Sequence, residues 1–337
     1  MRGLILVLLA AVLAGCTAVA TSADGNRETP SALALSGPAT ARLADEDVHP
    51  IVTDPNPSLP VTVRSFDGVD VRVSSVDRIV AVDLYGTLGE IVFSLGLGDR
   101  MVGRDPSMGF PSAADVPVVT AGGHDLNAEA ILDLNPTVVL TDTSIGPPEV
   151  QQQLRDAGIP VVFFDPARTL AGVPGHIRTV AAALGVADAG AKLVSSVEAE
   201  IASARELAPS GSPPRLTFLY VRGSAGVYLM AGPGSGADAM IEAVGAVDVG
   251  TDIGLDKPFV PITSEGLLNA QPDVILVMTE GLESVGGVDG LLRIPGVAQT
   301  PAGQSRRIVD VADTDLLSFG PRVGRMITAL AKVLYAG

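Results

Sequence analysis

The sequence has 337 residues, enough for two domains with separate hydrophobic cores. It carries 38 acidic and 22 basic residues, so its net charge is −16. This surplus argues against a nucleic-acid partner, because phosphate binding requires clustered Lys and Arg.

The N-terminus has the features of an export signal. Arg2 precedes an uninterrupted apolar run at residues 4–13, which is too short to span a bilayer, since a spanning helix takes about 20 residues. Residues 13–16 read Leu-Ala-Gly-Cys and resemble a bacterial lipobox, in which the Cys becomes lipid-modified. The sequence therefore predicts a signal peptide over residues 1–15. It also predicts a lipid anchor on Cys16 that holds the protein at the extracytoplasmic face of the cell membrane.

The segment after the signal is poor in large apolar residues. Residues 16–60 are rich in Ala, Thr, Ser, Pro and Gly, which predicts a flexible tether behind the lipidated Cys. Next, two alternating stretches at residues 61–66 and 69–73 flank an Asp-Gly pair at residues 67–68, a pattern that predicts a β-hairpin.

From residue 79 onward, short apolar strands alternate with helical patterns. This alternation predicts an α/β fold with parallel sheets covered by helices. The predicted strands are residues 79–82, 137–141, 161–164, 216–222, 274–279 and 308–311, and the predicted helices are residues 87–95, 128–134, 149–157 and 173–184.

One predicted helix is much longer than the others. Residues 188–207 have helical periodicity without proline, and would span roughly 30 Å before the Pro-rich residues 209–214. We therefore expect two Rossmann-like lobes with central parallel sheets, at residues 61–187 and 209–337. One long rigid helix, residues 188–208, joins them, and the ligand cleft lies between the lobes.

An internal repeat supports two similar lobes. Residues 128–140 and 264–276 both read as a short helix, a turn with proline and a buried strand. Glu129 and Glu265 occupy the same position in the first turn of each helix. On the residues alone, each glutamate is placed to complement the dipole of its helix.

The few histidines and tyrosines narrow the search for a site. His124 lies in a glycine-rich loop, residues 121–127, and is a candidate ligand in the cleft, although a plain surface histidine remains an alternative. His176 falls on the polar side of the predicted helix at residues 173–184, so we expect it to face solvent.

Tyr220 and Arg222 end a predicted strand and share one face, about 6.5–7 Å apart. A guanidinium placed there can donate to the phenol oxygen and favour the phenolate. Ferric iron binds phenolate oxygen well, and imidazole also serves haem iron. Tyr220 and His124 are therefore candidates to hold a haem iron from opposite faces, whereas a rim tyrosine beside a solvated arginine is the alternative.

Weaker candidates follow from their positions along the chain. Met278 ends a predicted strand and would form an apolar wall or a core contact, whereas Arg322 would pair with a propionate or with an acid at a helix end. Residues 232–237, Gly-Pro-Gly-Ser-Gly-Ala, match a dinucleotide-binding fingerprint. Pro233 stiffens this loop and an exported protein meets little NAD, so a glycine turn that packs a helix or the ligand is favoured.

The opening of the folded region resembles a known family. RIVAV at residues 78–82, TLGE at 87–90 and LGLGDRMVG at 95–103 resemble the first segment of certain ABC-transporter substrate-binding proteins. Their two lobes are joined by a single rigid helix, and they carry vitamin B12, iron-siderophores or haem. The resemblance implies that Glu129 and Glu265 dock onto arginines of the membrane permease.

A narrower resemblance points to the cargo. The Tyr-Val-Arg strand end at residues 220–222 and the Gly-His-Asp-Leu-Asn loop at residues 123–127 resemble the haem-binding lipoproteins of haem-uptake ABC systems in Gram-positive bacteria. That resemblance implies transported ferric haem with His124 and Tyr220 as axial ligands and Arg222 as the partner of Tyr220. Its partners would be the ABC permease and upstream haem donor proteins.

Three alternatives remain. Tyr85 is the nearest rival ligand, because haem binders of Gram-negative periplasms use a tyrosine in the first lobe. An iron-siderophore or cobalamin-type cargo fits the same fold, although the absence of Trp departs from strongly aromatic cobalamin sites. An exported α/β enzyme would need a nucleophile–base pair that the sequence does not display.

Overall fold

The structure is a computed structural model that describes residues 36–335, so the predicted signal peptide and Cys16 lie outside the described residues. The described strands are β1 (Ala39–Ala41), β2 (Val61–Arg64), β3 (Asp70–Val73), β4 (Ile79–Val82), β5 (Met101–Arg104), β6 (Thr120–Ala121), β7 (Asp125–Leu126), β8 (Val138–Thr141), β9 (Val161–Phe163), β10 (Arg215–Arg222), β11 (Val227–Ala231), β12 (Val247–Asp248), β13 (Phe259–Pro261), β14 (Val274–Met278) and β15 (Ile308–Val311). The described helices are α1 (Thr87–Ser94), α2 (Ala128–Asp133), α3 (Pro148–Asp156), α4 (Val173–Ala183), α5 (Ala187–Arg205), α6 (Ala237–Ala243), α7 (Val249–Asp252), α8 (Ser264–Ala270), α9 (Thr279–Ser284), α10 (Gly287–Leu291), α11 (Pro301–Ser305) and α12 (Val323–Tyr335).

Two separate sheets form the cores of two lobes. The first lobe has a parallel sheet in the order β5-β4-β8-β9. The second lobe has the order β1-β15-β14-β10-β11-β13, with β12 beside β10. Strand β11 pairs antiparallel with both β10 and β13, and the other pairs of this sheet are parallel. Every residue of β4, β8 and β14 is buried, as expected for parallel strands covered by helices on both faces. The predicted two-lobed α/β fold is confirmed.

In the chain, helix α5 lies between the strands of the first sheet and those of the second sheet other than β1. It packs against one helix of each lobe. Its apolar residues recur three or four positions apart and form one buried stripe, which consists of Ala189, Leu193, Val194, Val197, Ile201 and Ala204. Against α4, a Cβ atom on Gly190 would lie 2.4 Å from the Cβ of Ala181. Against α12, a Cβ on Gly324 would lie 2.7 Å from the Cβ of Glu200. Glycine at both contacts therefore allows close helix packing that fixes α5 to both lobes.

Residues 36–60, called the strap below, correct one prediction: this part of the proposed flexible tether is folded. Strand β1 pairs in parallel with β15, so the strap begins on the sheet of the second lobe. Further along, the Ile51 amide donates to the Ser94 carbonyl at 2.8 Å, and the Ser58 amide donates to the Gly185 carbonyl at 2.8 Å. The strap therefore ends on the first lobe. Backbone hydrogen bonds hold it, and its apolar side chains Leu43 and Val48 are buried in the core.

The two copies of the sequence repeat begin their helices in the same way. Asn127 caps α2, where its side-chain oxygen accepts a hydrogen bond from the Ala130 amide at 3.1 Å. Thr263 caps α8, where its hydroxyl oxygen accepts from the Gly266 amide at 3.0 Å. Each cap satisfies one of the free amides of the first helical turn.

The copies also end their helices in the same way. Asn135 and Gln271 both follow the helix with φ of 45°, in the left-handed region, and a proline comes next in each copy. The Nε of Arg78 donates at 2.8 Å to the carbonyl of Leu134, which directly follows α2. The Nε of Arg215 donates to the Ala270 carbonyl of α8 at 3.2 Å. The repeat is therefore a repeat of structure as well as of sequence.

Candidate ligand-binding cleft

A cavity of about 650 Å³ lies between the lobes, within the usual size range of small-molecule sites. The first lobe contributes Leu84, Tyr85, Pro106, Ser107, Gly123 and His124. The second lobe contributes Tyr220, Arg222, Leu229, Phe259, Met278, Glu280, Asp313, Thr314, Leu317 and Ser318. Most of the candidate cleft residues taken from the sequence therefore meet in one cavity.

Tyr220 lies on the second-lobe wall of the cavity. Strand β10 buries Val221 on one face and turns Tyr220 and Arg222, both half-buried, toward the other, as strand alternation requires. Phe259, which begins β13, meets the Tyr220 ring edge to face with 6.2 Å between the ring centres. This aromatic contact orients the phenol toward the cleft.

The position of the Arg222 guanidinium differs from the predicted one. The sequence suggested a hydrogen bond to the phenol oxygen of Tyr220, but the guanidinium lies over the ring, with its carbon 4.7 Å from the ring centre. It forms an ion pair with Asp313 at 2.5 Å and also contacts the Met278 sulfur at 3.6 Å. Asp313 draws the guanidinium away from the phenol oxygen, so Arg222 supports Tyr220 through a cation–π contact.

His124 lies at the tip of a small hairpin on the first-lobe wall. The hairpin pairs β6 with β7, and the turn contains Gly122 and Gly123, with φ of 58° and 100°. These positive φ values favour glycine over other residues. The Thr120 hydroxyl donates to the Gly123 carbonyl at 2.7 Å and closes the turn. The turn presents an exposed imidazole at the mouth of the cavity.

Tyr85 forms a second tyrosine–arginine pair, on the opposite lobe from Tyr220. The guanidinium carbon of Arg168 lies 4.3 Å from the centre of the Tyr85 ring. Arg168 is 7% exposed and pairs with Asp142 at 3.2 Å and with Asp83 at 3.7 Å. Burial raises the pKa of the Tyr85 hydroxyl. Tyr85 thus lines the cavity as a half-buried phenol that lies against a charged group.

The sequence reasoning missed this charged group beneath Tyr85. Asp83, Asp105 and Asp142 directly follow β4, β5 and β8, so they meet at the carboxyl edge of the first sheet. Burial raises the pKa of Asp105 to about 8, and burial followed by the Asp142 charge raises the pKa of Asp83. An acidic residue directly after each of three buried strands was the signal that pointed to this group.

Met278 and Arg322 have different outcomes. Met278 is 6% exposed and lines the cavity, so it serves both the wall and the core. Arg322 is not among the residues that line the cavity, so of its two predicted partners, a propionate or an acid at a helix end, the structure shows the acid. Its guanidinium is buried and pairs with Glu90 at 3.3 Å and Asp315 at 3.2 Å. The pair with the buried Glu90 joins α1 of the first lobe to the second lobe, and the half-buried Asp315 also holds the arginine there.

The dinucleotide fingerprint is not supported by the geometry of its loop. The amides of Gly234 and Gly236 both donate to the Asp238 carboxylate at 2.8 Å. A phosphate would need those same amides, and it would also meet the negative charge of Asp238. The glycine turn instead packs the start of α6, as the sequence analysis favoured.

The expectation that His176 faces solvent is wrong. It is 8% exposed, and its side chain lines a separate cavity of about 520 Å³ in the first lobe, between α4 and the β2–β3 hairpin. The hairpin covers this helix face, which periodicity alone did not show. Burial lowers the pKa of His176.

Glu129 and Glu265 lie on the surface, in the first turns of α2 and α8. Both are exposed, and the carboxylates complement the positive ends of their helix dipoles. Of the helices that the structure describes, none combines the length and the apolar character needed to cross a membrane.

Two α/β lobes, one connecting helix and a cleft between the lobes define a two-lobed ligand-binding protein. The sequence model of the periplasmic binding protein family matches residues 80–314. The chain belongs to this family.

Proteins similar to the chain include one named for haem and one named for cobalamin. The crystal structure of the haem-binding protein HmuT is 40% identical, spans 91% of this chain and 100% of its own, and superposes with a TM-score of 0.86. The ABC transporter substrate-binding lipoprotein YvrC of Bacillus subtilis (strain 168) is 26% identical over 82% of this chain and 86% of its own length. A cobalamin-binding protein of Halobacterium salinarum (strain ATCC 29341 / DSM 671 / R1) is 25% identical over 73% of this chain and 66% of its own length.

Proposed function

We propose that this protein captures ferric haem in the cleft, with His124 and Tyr220 as axial ligands, and delivers it to an ABC permease. The observation that carries the proposal is that both side chains line one cavity and come from opposite lobes. An imidazole and a phenolate suit ferric haem iron, which takes one ligand on each face of the porphyrin. The similarity to the haem-binding protein HmuT supports the same ligand.

Two axial ligands leave no open position on the iron, so the proposed role is binding and transport rather than catalysis. Arg222 would stabilise the Tyr220 side chain through its contact with the ring. Met278 and Leu317 would contact a porphyrin through apolar atoms. Haem is the cargo here and is handed on rather than retained.

An absorption spectrum of the purified protein with added ferric haem tests this proposal. We expect a Soret band that shifts or weakens in His124→Ala and in Tyr220→Phe, because each variant removes one iron ligand. His49→Ala and Tyr228→Phe are matched controls, since both residues are exposed and lie outside the cavity lining. If the Soret band of added haem does not change in the presence of the protein, the proposal is contradicted. If the bound-haem band is lost in Tyr85→Phe and not in Tyr220→Phe, Tyr85 is the iron ligand in place of Tyr220.

The second candidate cargo is a cobalamin-type ligand, which the similarity to a cobalamin-binding protein favours, and an iron-siderophore is the remaining alternative for this fold. Titration with cyanocobalamin and with a ferric siderophore, each followed by calorimetry, separates these cargoes from haem. Saturable binding of either one, in a protein that leaves the haem spectrum unchanged, would establish the second candidate.

The remaining parts of the proposal concern location and partners. We propose that Cys16 carries the lipid anchor at the extracytoplasmic face of the membrane, in keeping with the lipoprotein YvrC. Glu129 and Glu265 are the proposed contacts with the permease, and upstream haem-binding proteins are the proposed donors. Mass spectrometry of protein purified from membranes tests the anchor: a diacylglyceryl group on Cys16 is expected, and an unmodified N-terminus contradicts it.

A further inference from the structure

The charged residues of the cleft are mostly acidic. Among the residues that line the cavity, Arg222 is the one cation, and Glu280 and Asp313 are carboxylates. Arg222 is already committed, because it forms an ion pair with Asp313 at 2.5 Å and lies over the Tyr220 ring at 4.7 Å. The second oxygen of Asp313 accepts a hydrogen bond from the Glu280 amide at 2.9 Å, which fixes the carboxylate in place.

The guanidinium that lies over the Tyr85 ring, behind the first-lobe wall, is also held in ion pairs. Arg168 lies over the Tyr85 ring and pairs with Asp142 and Asp83, and its side chain is 5% exposed. A ligand carboxylate that entered the cleft would therefore have to displace Asp313 from Arg222, or lie near Glu280 without an arginine or lysine partner. Both arrangements cost free energy, because a carboxylate loses its hydration without gaining a cation.

We propose that Asp313 is a positioning and specificity residue that holds Arg222 on Tyr220 and withholds it from the ligand's carboxylates. This inference rests on the proposed function. The cleft then recognises an iron porphyrin by its iron and its apolar faces, and the two propionates of haem stay in solvent. Esterified porphyrins are accepted as readily as the free acid.

A comparison of haem with its dimethyl ester tests this directly. Both are titrated into the unaltered protein in the same mixed aqueous solvent, and the Soret change is followed. We expect dissociation constants within about threefold of each other, because propionates that stay in solvent do not contribute to binding. Propionates paired with the protein would instead give haem at least two charge-assisted hydrogen bonds that the ester lacks. An ester that binds about 30-fold more weakly than haem overturns the inference. If neither compound binds, the proposed function fails instead.

Asp313→Asn tests the role of the carboxylate itself. The variant keeps a side-chain oxygen for the Glu280 amide but removes the charge that holds Arg222. The freed guanidinium should now pair with a propionate, so the preference for haem over the ester should rise by about fivefold or more. A merely structural role for Asp313 would weaken both ligands equally and leave this ratio unchanged, which contradicts the inference.

Asp289→Asn is the matched control. It also breaks an arginine–aspartate pair, with Arg306 at 2.7 Å, but lies on α10 outside the cavity lining. Its ratio of haem to ester affinity should equal that of the unaltered protein. The comparison in the unaltered protein needs no substitution, so it decides the first part of the inference even if Asp313→Asn folds poorly.

Discussion

Asp105 is a buried carboxyl whose protonation should couple folding to pH. Its exposure is 0%, and burial raises its pKa to about 8 from an ordinary value of 3.8. Between these two values the folded protein holds a proton that the unfolded chain releases. The free energy of unfolding attributable to Asp105 therefore falls as the pH rises from about 4 to 8.

Asp105→Asn should remove this pH dependence, because an amide cannot ionise. We expect the unaltered protein to lose more stability than the variant between pH 5 and pH 8.5, by at least about 1 kcal/mol. Both Asp105 oxygens accept backbone amides, whereas the variant keeps one acceptor oxygen, so the variant should be the less stable protein at pH 5. Thermal unfolding followed by circular dichroism across this pH range measures the effect. Asp115→Asn, at an exposed aspartate of the same lobe, is the control and should track the unaltered protein. Equal pH profiles for Asp105→Asn and the unaltered protein contradict the prediction.

The sequence predicted which single residues lie at the cleft, but not which side chains they contact there. Tyr220, His124 and Met278 could be placed at the cleft because each ends a strand or occupies a glycine loop. The orientation of Arg222 could not be predicted, because it depends on Asp313, which lies 91 positions away in the chain. Such pairings leave no local pattern in the sequence.

Helices α2 and α8 are the elements on which the docking proposal depends. Each begins with a side-chain cap, has an exposed glutamate in its first turn and is followed by a residue in the left-handed region of φ. A permease with two-fold symmetry would meet equivalent surfaces on the two lobes.

Charge reversal at both glutamates tests the docking proposal. Glu129→Lys combined with Glu265→Lys should leave haem affinity within about twofold of the unaltered value, because neither residue lines the cavity. Haem uptake by cells that depend on this protein should fall by about tenfold or more, since like charges would then face each other at the interface. Glu149→Lys, also exposed and in a first helical turn, is the control and should not change uptake. Normal uptake by the double variant would make the repeat purely architectural.

Regular elements were predictable and the strap was not. Strands such as β4 and β14 are uninterrupted apolar runs, and burial of such runs is a local property of the sequence. The strap is held by backbone hydrogen bonds to both lobes and by the burial of Leu43 and Val48, and its partners, such as β15, are distant in the chain. His176 shows the same limit, because the hairpin that covers it is distant in the chain.

For the molecule as a whole, a buried ion pair between Arg322 and Glu90 links the two lobes directly. Glu90 of α1 is 1% exposed and accepts hydrogen bonds from the backbone amide of Arg322 at 2.6 Å and from its guanidinium at 3.3 Å. These residues are 232 positions apart, which is why sequence patterns did not reveal the contact. Together with the packing of α5 on both lobes, the pair keeps the two cleft walls in register.

Arg322→Met should destabilise the protein strongly, because it leaves Glu90 buried without its cation. We expect a loss of about 3–5 kcal/mol in the free energy of unfolding, partly recovered when Glu90→Gln is added. Urea denaturation measures both variants. Arg64→Met, which breaks an exposed pair with Asp70, is the control and should cost less than about 1 kcal/mol. A similar small cost for Arg322→Met would show that the pair does not hold the lobes together.

A crystal structure of the protein with bound ferric haem is the most direct test. We predict iron bonded to a ring nitrogen of His124 on one face of the porphyrin and to the phenol oxygen of Tyr220 on the other. Iron held by Tyr85, or a haem in the cleft with either predicted side chain turned away from the metal, would contradict this.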